Sequence, residues 1–250
     1  MYDSLSKYYD LFADSDDESR AGYIASFLPE GGRGADLGCG TGGVTLALKK
    51  RGFDVTGFDS SEGMLAAAYE RAADSGETVD FVLKDVFRGG FGKNLDFVIA
   101  CCDVANYVSR PLGFFKKVYD SLSDGGVFAF DVSSEYKLKN ILGNNTFTDT
   151  VGGVTYIWVN SLFAKSVDMF LTFFALRPDG TYDKTVDEQT QYIHKREDLV
   201  GALKEAGFDR VKEYGYGTRS NPAAKCERIF FVCTKSSLGK RTNGHYGQNR

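Results

Sequence analysis

Asp36-Leu37-Gly38-Cys39-Gly40-Thr41-Gly42 follows a short apolar run and precedes a helical stretch, and the reading of this turn decides the fold. Glycines suit a place where the chain turns sharply and a ligand must approach main-chain atoms with no Cβ in the way. Gly38, Gly40 and Gly43 also satisfy Gly-x-Gly-x-x-Gly, a dinucleotide fingerprint that is weak when taken alone. Asp36 separates the two readings. A carboxylate two residues before the first glycine repels a pyrophosphate seated on the following helix N-terminus. The same carboxylate attracts the α-ammonium and sulfonium of S-adenosylmethionine (SAM). The turn therefore reads as a SAM loop built on Asp36, Gly38, Gly40 and Gly42. An NAD(P)-dependent oxidoreductase is the rival this disfavours, and a non-catalytic SAM-binding regulator is a second alternative.

Outward from the turn, short apolar runs alternate with helical stretches, which is the pattern of parallel βαβ units. A first strand ends at Leu37, and a helix over 44–50 finishes with Lys49, Lys50 and Arg51 before Gly52. Basic residues and a glycine suit the C-terminal end of a helix. A second strand over 53–58 runs into Asp59, whose carboxylate is placed to accept from both ribose hydroxyls. Ser60 or Ser61 then caps a helix that turns Met64, Leu65, Ala68 and Ala72 inward. The third strand, 79–83, is closed by Asp85, which can accept from an adenine amino group while the Val86 backbone meets the ring edge. A fourth, over 95–102, is almost wholly apolar and must be buried on both faces. Pro111 opens another helix, and 127–132 is a fifth strand. Acids at three successive strand ends fit the carboxyl edge of an open parallel sheet, where such folds bind ligands.

The texture then changes. A helix is expected over 133–142, after which 146–193 is rich in β-branched and aromatic residues. Alternation over 154–163, 167–176 and 181–193 predicts an antiparallel meander, broken at Gly152-Gly153, Lys165 and Pro178-Asp179-Gly180. The α/β pattern resumes with a helix over 195–206 and strands over 208–214 and 228–234. The expected organisation is an N-terminal helical lead or flap (1–32) with Tyr8, Tyr9, Leu11 and Phe12, and a Rossmann-like doubly wound α/β domain (33–142 and 194–235). An antiparallel β lid (143–193) is inserted in it, and 236–250 reads as a polar, disordered tail.

With a formal net charge of −4, a broad nucleic-acid-binding face is not expected. No stretch approaches a membrane span and no secretory signal opens the chain. Five cysteines without a Cys-x-x-Cys pair read as free thiols in the cytoplasm, and two histidines argue against a metal site.

The glycine turn, Val55-Thr56-Gly57-Phe58-Asp59-Ser60-Ser61 with Met64, Asp85-Val86, and Leu122-Ser123-Asp124-Gly125-Gly126 resemble the successive motifs of class I SAM-dependent methyltransferases. The resemblance implies a seven-stranded sheet whose last strand is antiparallel. It also implies a cofactor site that includes Cys39, Ser60, Met64 and Cys102, with the methionine end between the glycine turn and Cys101-Cys102-Asp103. Tyr9-Asp10-Leu11 and the antiparallel insert resemble small bacterial members related to aminosugar N-methyltransferases, which places Tyr9 at the cofactor and Arg20 within reach of its carboxylate. The sequence departs from those enzymes after strand five, where it reads Asp131-Val132-Ser133-Ser134 without an acidic-Pro-Trp segment. It also lacks an Asn/Asp-Pro-Pro-Tyr motif after strand four. The expected acceptor is a small molecule methylated on nitrogen or oxygen by a monomer or homodimer. Candidates for a base are Tyr107 and Asp103 after strand four, and Tyr192 and His194 at the end of the insert, with Tyr107 preferred. Trp158 and the phenylalanine-rich run 170–174 are candidates for an acceptor pocket.

Overall fold

The computed structural model describes residues 6–12 and 16–236, so most of the expected tail lies outside the described residues. Seven strands form one sheet in the order β10-β11-β5-β4-β1-β2-β3. They are β1 (Arg33–Leu37), β2 (Asp54–Asp59), β3 (Phe81–Leu83), β4 (Leu95–Ala100), β5 (Leu122–Ser133), β10 (Arg210–Gly215) and β11 (Arg228–Thr234). Strands β1 to β5 pair in parallel, while β11 runs antiparallel to both β5 and β10.

Helices cover both faces, as a doubly wound sheet requires. On one side α2 (Asp17–Ala25) and α3 (Gly43–Lys50) bury Ile24, Val44, Ala47 and Leu48 against Phe97, Ile99 and Phe230. On the other, α5 (Leu112–Ser121) and α6 (Arg196–Ala206) bury Phe114, Phe115, Val118, Leu199 and Leu203 against Val98, Phe128 and Phe130. The helix α4 (Glu62–Ser75) packs Leu65, Ala68 and Ala72 on Phe81. Its N-cap is Ser61, whose hydroxyl accepts the Met64 N–H at 3.1 Å. Chain order reverses direction between β1 and β4, so the crevice for a ligand opens at their carboxyl ends.

The inserted sheet has four antiparallel strands in sequence order, β6 (Thr146–Val151), β7 (Val154–Leu162), β8 (Ser166–Leu176) and β9 (Tyr182–Tyr192). The expected meander lacked β6, whose residues are nearly all exposed and carry no apolar inner row. The helix expected over 133–142 is a single π-helical turn, Lys137–Leu142. Strand five begins at Leu122, earlier than expected, with a bulge between its pairings to Leu95 and Phe97. No helix among the described residues is long and apolar enough to cross a membrane.

The N-terminal α1 (Ser6–Phe12) joins the two sheets. Its Tyr8 stacks on Phe173, and Phe12 meets Tyr156 edge to face, both on the insert. Asp10 accepts from Thr41 of the glycine turn at 2.9 Å and pairs with Arg71 on α4. Arg71 also holds Asp17 at 2.8 Å. Within the lead, α1 thus packs against the insert, the glycine turn and α4.

Candidate active site

The glycine turn bends with Gly38 at φ +73° and Gly40 at φ +55°, a region that glycine alone enters without strain. A Cβ on Gly38 would stand 2.5 Å from Val104 Cγ2, so this residue lets the segment after β4 close on the turn. A Cβ on Gly40 would meet no atom within 4 Å; it would project into a cavity that Gly40 itself lines. That cavity is bounded by Gly38, Asp59, Ser60, Met64, Asp85 and Val86. A smaller one beside it is lined by Asp36, Cys39, Gly40 and Arg20. Tyr9 and Cys102 border both. The structure therefore brings the sequence-predicted cofactor residues around two adjoining spaces, save Gly42, which packs behind them against Phe81.

Each acid has a defined setting. Asp59 Oδ2 accepts the Gly40 N–H and Oδ1 the Ser61 N–H, both at 2.9 Å, so the expected ribose ligand also braces the glycine turn. Asp85 Oδ1 accepts the Phe87 N–H at 2.9 Å, which closes the turn after β3. Asp36 is buried and accepts from Thr45 Oγ1 at 2.7 Å. Burial pushes its pKa up to about 7, opposed by the Thr45 hydrogen bond and reinforced by Asp59 and Asp17. A ligand ammonium beside Asp36 favours the carboxylate, so binding expels a proton wherever the empty site holds one. Affinity for S-adenosylhomocysteine (SAH) is expected to rise with pH up to about 7, by at most about tenfold per unit, and then to level off. Calorimetric titration across that range tests this, and Asp36→Asn should flatten the curve. The sign for stability is opposite. Because the folded pKa lies above the ordinary 3.8, this group makes the ligand-free protein less stable as pH rises from about 4 to 7.

Beyond β4 the chain does not continue as a strand through Cys102, as the apolar run suggests. Cys102 and Asp103 take left-handed conformations, φ +60° and +69°, and lead into a 3-10 turn, Val104–Tyr107. The strained pair is held by Asp131 at the end of β5. One carboxylate oxygen accepts the Cys102 N–H and the other the Asp103 N–H, each at 3.1 Å. Arg228 from β11 bridges Asp131 and Asp103, reaching the two Asp103 oxygens at 2.6 and 3.1 Å. Asp103, a candidate base, is therefore held by Arg228 on both oxygens. The thiol of Cys102 is pushed up to about 12, by burial first and Asp131 next, and stays protonated at neutral pH.

A third cavity, about 320 Å³, opens on the other side of Tyr9, Cys102 and Tyr107. One wall is aromatic, from Tyr8, Phe12, Tyr156 and Phe173. The other is polar and centres on Tyr107, whose hydroxyl donates to Gln189 Oε1 at 2.9 Å and accepts from Gln191 Nε2 at 3.2 Å. Gln189 Nε2 in turn donates to Asp187 Oδ1 at 3.1 Å. Three residues that line this cavity each carry a buried polar atom with no hydrogen-bond partner among the described residues: Ser133 Oγ, Trp158 Nε1 and Gln191 Oε1. Asn106, fully buried, ties the turn to both sheets by donating to the carbonyls of Ser133 and Tyr192 at 3.2 and 3.1 Å.

His194 is not part of this constellation. It faces the backbone of Ala105 and Val108 and lines a separate cavity, because the strand ends at Tyr192 and the chain turns away into α6. Burial holds its pKa below the ordinary histidine range. Of the phenylalanine run, Phe173 lines the cavity and Phe170 is exposed. Sequence reasoning missed Arg228, Asp131, Gln189 and Gln191. The glutamines do carry a signal: with Asp187 they are polar at alternate positions of a strand, all on its buried face.

Residues 35–126 match the family described as "Methyltransferase domain". YqeM of Bacillus subtilis (strain 168), provisionally named a methyltransferase, is 31% identical over 94% of this chain and 98% of its own length. A S-adenosylmethionine-dependent methyltransferase from Clostridium acetobutylicum superposes with a TM-score of 0.83 at 26% identity, covering 94% of this chain and 99% of that one. The sugar N-methyltransferase KedS8 from Streptoalloteichus superposes with a TM-score of 0.75 at 19% identity, over 95% and 93% of the two chains, a likeness of fold.

Proposed function

The chain belongs to the S-adenosylmethionine-dependent methyltransferases, and on that premise we propose that its acceptor is a polar small molecule, methylated on nitrogen or oxygen, in the 320 Å³ cavity. The observation that carries this is the set of unpartnered atoms. Ser133 Oγ, Trp158 Nε1 and Gln191 Oε1 are each costly to bury unmatched, and all three belong to residues that line one space next to the cofactor cavity. An acceptor with donor and acceptor groups of its own satisfies them, while the aromatic wall takes an apolar ring face or edge.

Bound SAM supplies a methyl group already activated on a sulfonium, so placing the nucleophile contributes much of the rate. Tyr9, Cys102 and Tyr107 are common to the acceptor cavity and the larger cofactor cavity, and on this reading the nucleophile reaches the methyl between them. Tyr107 gives its proton to Gln189 and accepts from Gln191, so its hydroxyl is held in place as an orienting group rather than a base. The only carboxylate among the described residues lining the acceptor cavity is Asp103, and Arg228 holds it. This arrangement favours nitrogen over oxygen. A neutral amine attacks with its own lone pair, the sulfonium becomes a neutral thioether, and the new ammonium loses its proton to water after release. A hydroxyl would need a base during attack. The five free thiols support a reducing, cytoplasmic setting.

The test is methyl transfer from radiolabelled SAM into cell extract. Label is expected in the low-molecular-mass fraction; label confined to protein or RNA would overturn the small-molecule reading. With that fraction as acceptor, Tyr107→Phe should leave SAH affinity unchanged and lower turnover about 10- to 100-fold through lost orientation. Full activity in that variant would return Tyr107 to a packing role.

A further inference from the structure

A cavity of about 420 Å³ shares no lining residue with the cofactor and acceptor cavities. It lies where the loop into α5, the π-helical turn, the β7–β8 turn and the start of α6 meet. Its charges are unbalanced. Arg110, Lys139, Lys165 and Lys195 face Glu135 and Asp198, and Glu135 is already taken by Lys139 at 2.5 Å. None of Arg110, Lys165 and Lys195 forms an ion pair with another described residue. A chain of net charge −4 thus concentrates three uncommitted cations around one space. Asp198 offsets one of these charges and leaves an excess of two cations, and an anion among them lowers their mutual repulsion.

Two further features make this more than a basic surface. Pro111, Leu112, Ile193 and Leu199 supply an apolar lining, and Leu199 is buried. His194 also lines the cavity, and its Nε2 is buried with no hydrogen-bond partner.

We propose that this cavity is a second small-molecule site, which binds an organic phosphate: the phosphate oxygens among Arg110, Lys165 and Lys195, and an apolar body on Leu112, Ile193 and Leu199, with the His194 ring in the cavity wall. Several cations around one space suit a phosphate dianion better than a single carboxylate. The site is physically linked to the reaction centre. His194 faces the backbone of Ala105 and Val108, which flank Asn106 and Tyr107 in the turn between the two cavities. The inference stands on this cavity alone and does not depend on which acceptor the enzyme uses.

The experiment uses phenyl phosphate and inorganic phosphate as probes, added to the full-length, isotope-labelled, SAH-bound protein. The chain has two histidines, so a His245→Gln variant leaves His194 as the one ring observed by NMR. Phenyl phosphate should shift the His194 resonances saturably, and inorganic phosphate should bind roughly tenfold more weakly for want of the apolar contact. In Lys165→Glu/Lys195→Glu, two exposed positions, phenyl phosphate affinity should fall about tenfold or more while SAH affinity is unchanged. Absence of a saturable shift in the parent, or equal affinity in the double variant, overturns the site. Equal binding of the two probes overturns the organic class of ligand.

Discussion

Arg228→Met is expected to lower the stability of the protein by about 3–5 kcal/mol, the cost of leaving a buried charge without its partner. Arg228 forms an ion pair with Asp131, which is almost fully buried, and it also holds both oxygens of Asp103. Methionine fills much of the volume but leaves two carboxylates facing each other in a poorly solvated space. Lysine should rescue only partly, because one ammonium cannot reproduce the fork that bridges both acids. For a chain of this size the loss corresponds to a fall in Tm of roughly 10 °C, read by thermal unfolding. Asp131→Asn in the Arg228→Met background should recover part of it by removing one orphaned charge, a non-additivity that a merely spatial role would not give. A change below about 1 kcal/mol would mean that the guanidinium is solvated and the clamp is incidental. Loss of the clamp also frees the left-handed Cys102 and Asp103 to relax, so cofactor affinity should fall together with stability.

Asp59→Ala should weaken SAH binding by about 3 kcal/mol, a little over a hundredfold. Two effects add. The carboxylate fixes the Gly40 and Ser61 N–H groups, so its removal loosens the turn on which the methionine end rests. It also faces the cavity where the ribose hydroxyls are expected. Asp59→Asn keeps one acceptor oxygen and should fall between wild type and alanine. Isothermal titration at fixed pH checks the order, and equal affinity for all three proteins would remove Asp59 from the cofactor site.

The cofactor half of the site is legible in the sequence because its information is local. A glycine turn after a strand, an acid just before it and acids at later strand ends are each fixed by a few neighbouring residues. The Gly40 and Asp59 pairing even follows from the parallel register of β1 and β2, which sets their carboxyl ends side by side. The half proposed for the acceptor is written in long-range pairing. Arg228 comes opposite Ser133 only through the antiparallel register of β11 on β5, and that alone puts it next to Asp131. The run through Cys101 and Cys102 looks like strand because both residues are apolar; the break is enforced by a carboxylate at position 131. His194 reads as a site residue from its place at the end of the insert, yet one turn of chain carries it to the back of the Tyr107 turn. Gln189 and Gln191 were readable in principle, since amides on the inner face of a strand demand partners.

The most direct measurement is a crystal structure with SAH. It should place the adenosine among Asp59, Asp85 and Val86, and the amino-acid end by Asp36 and Arg20. The sulfur should stand at Tyr9, Cys102 and Tyr107, open to the cavity of Trp158, Gln191 and Ser133. A sulfur turned away from that cavity, or a nucleoside lying within it, would contradict the account.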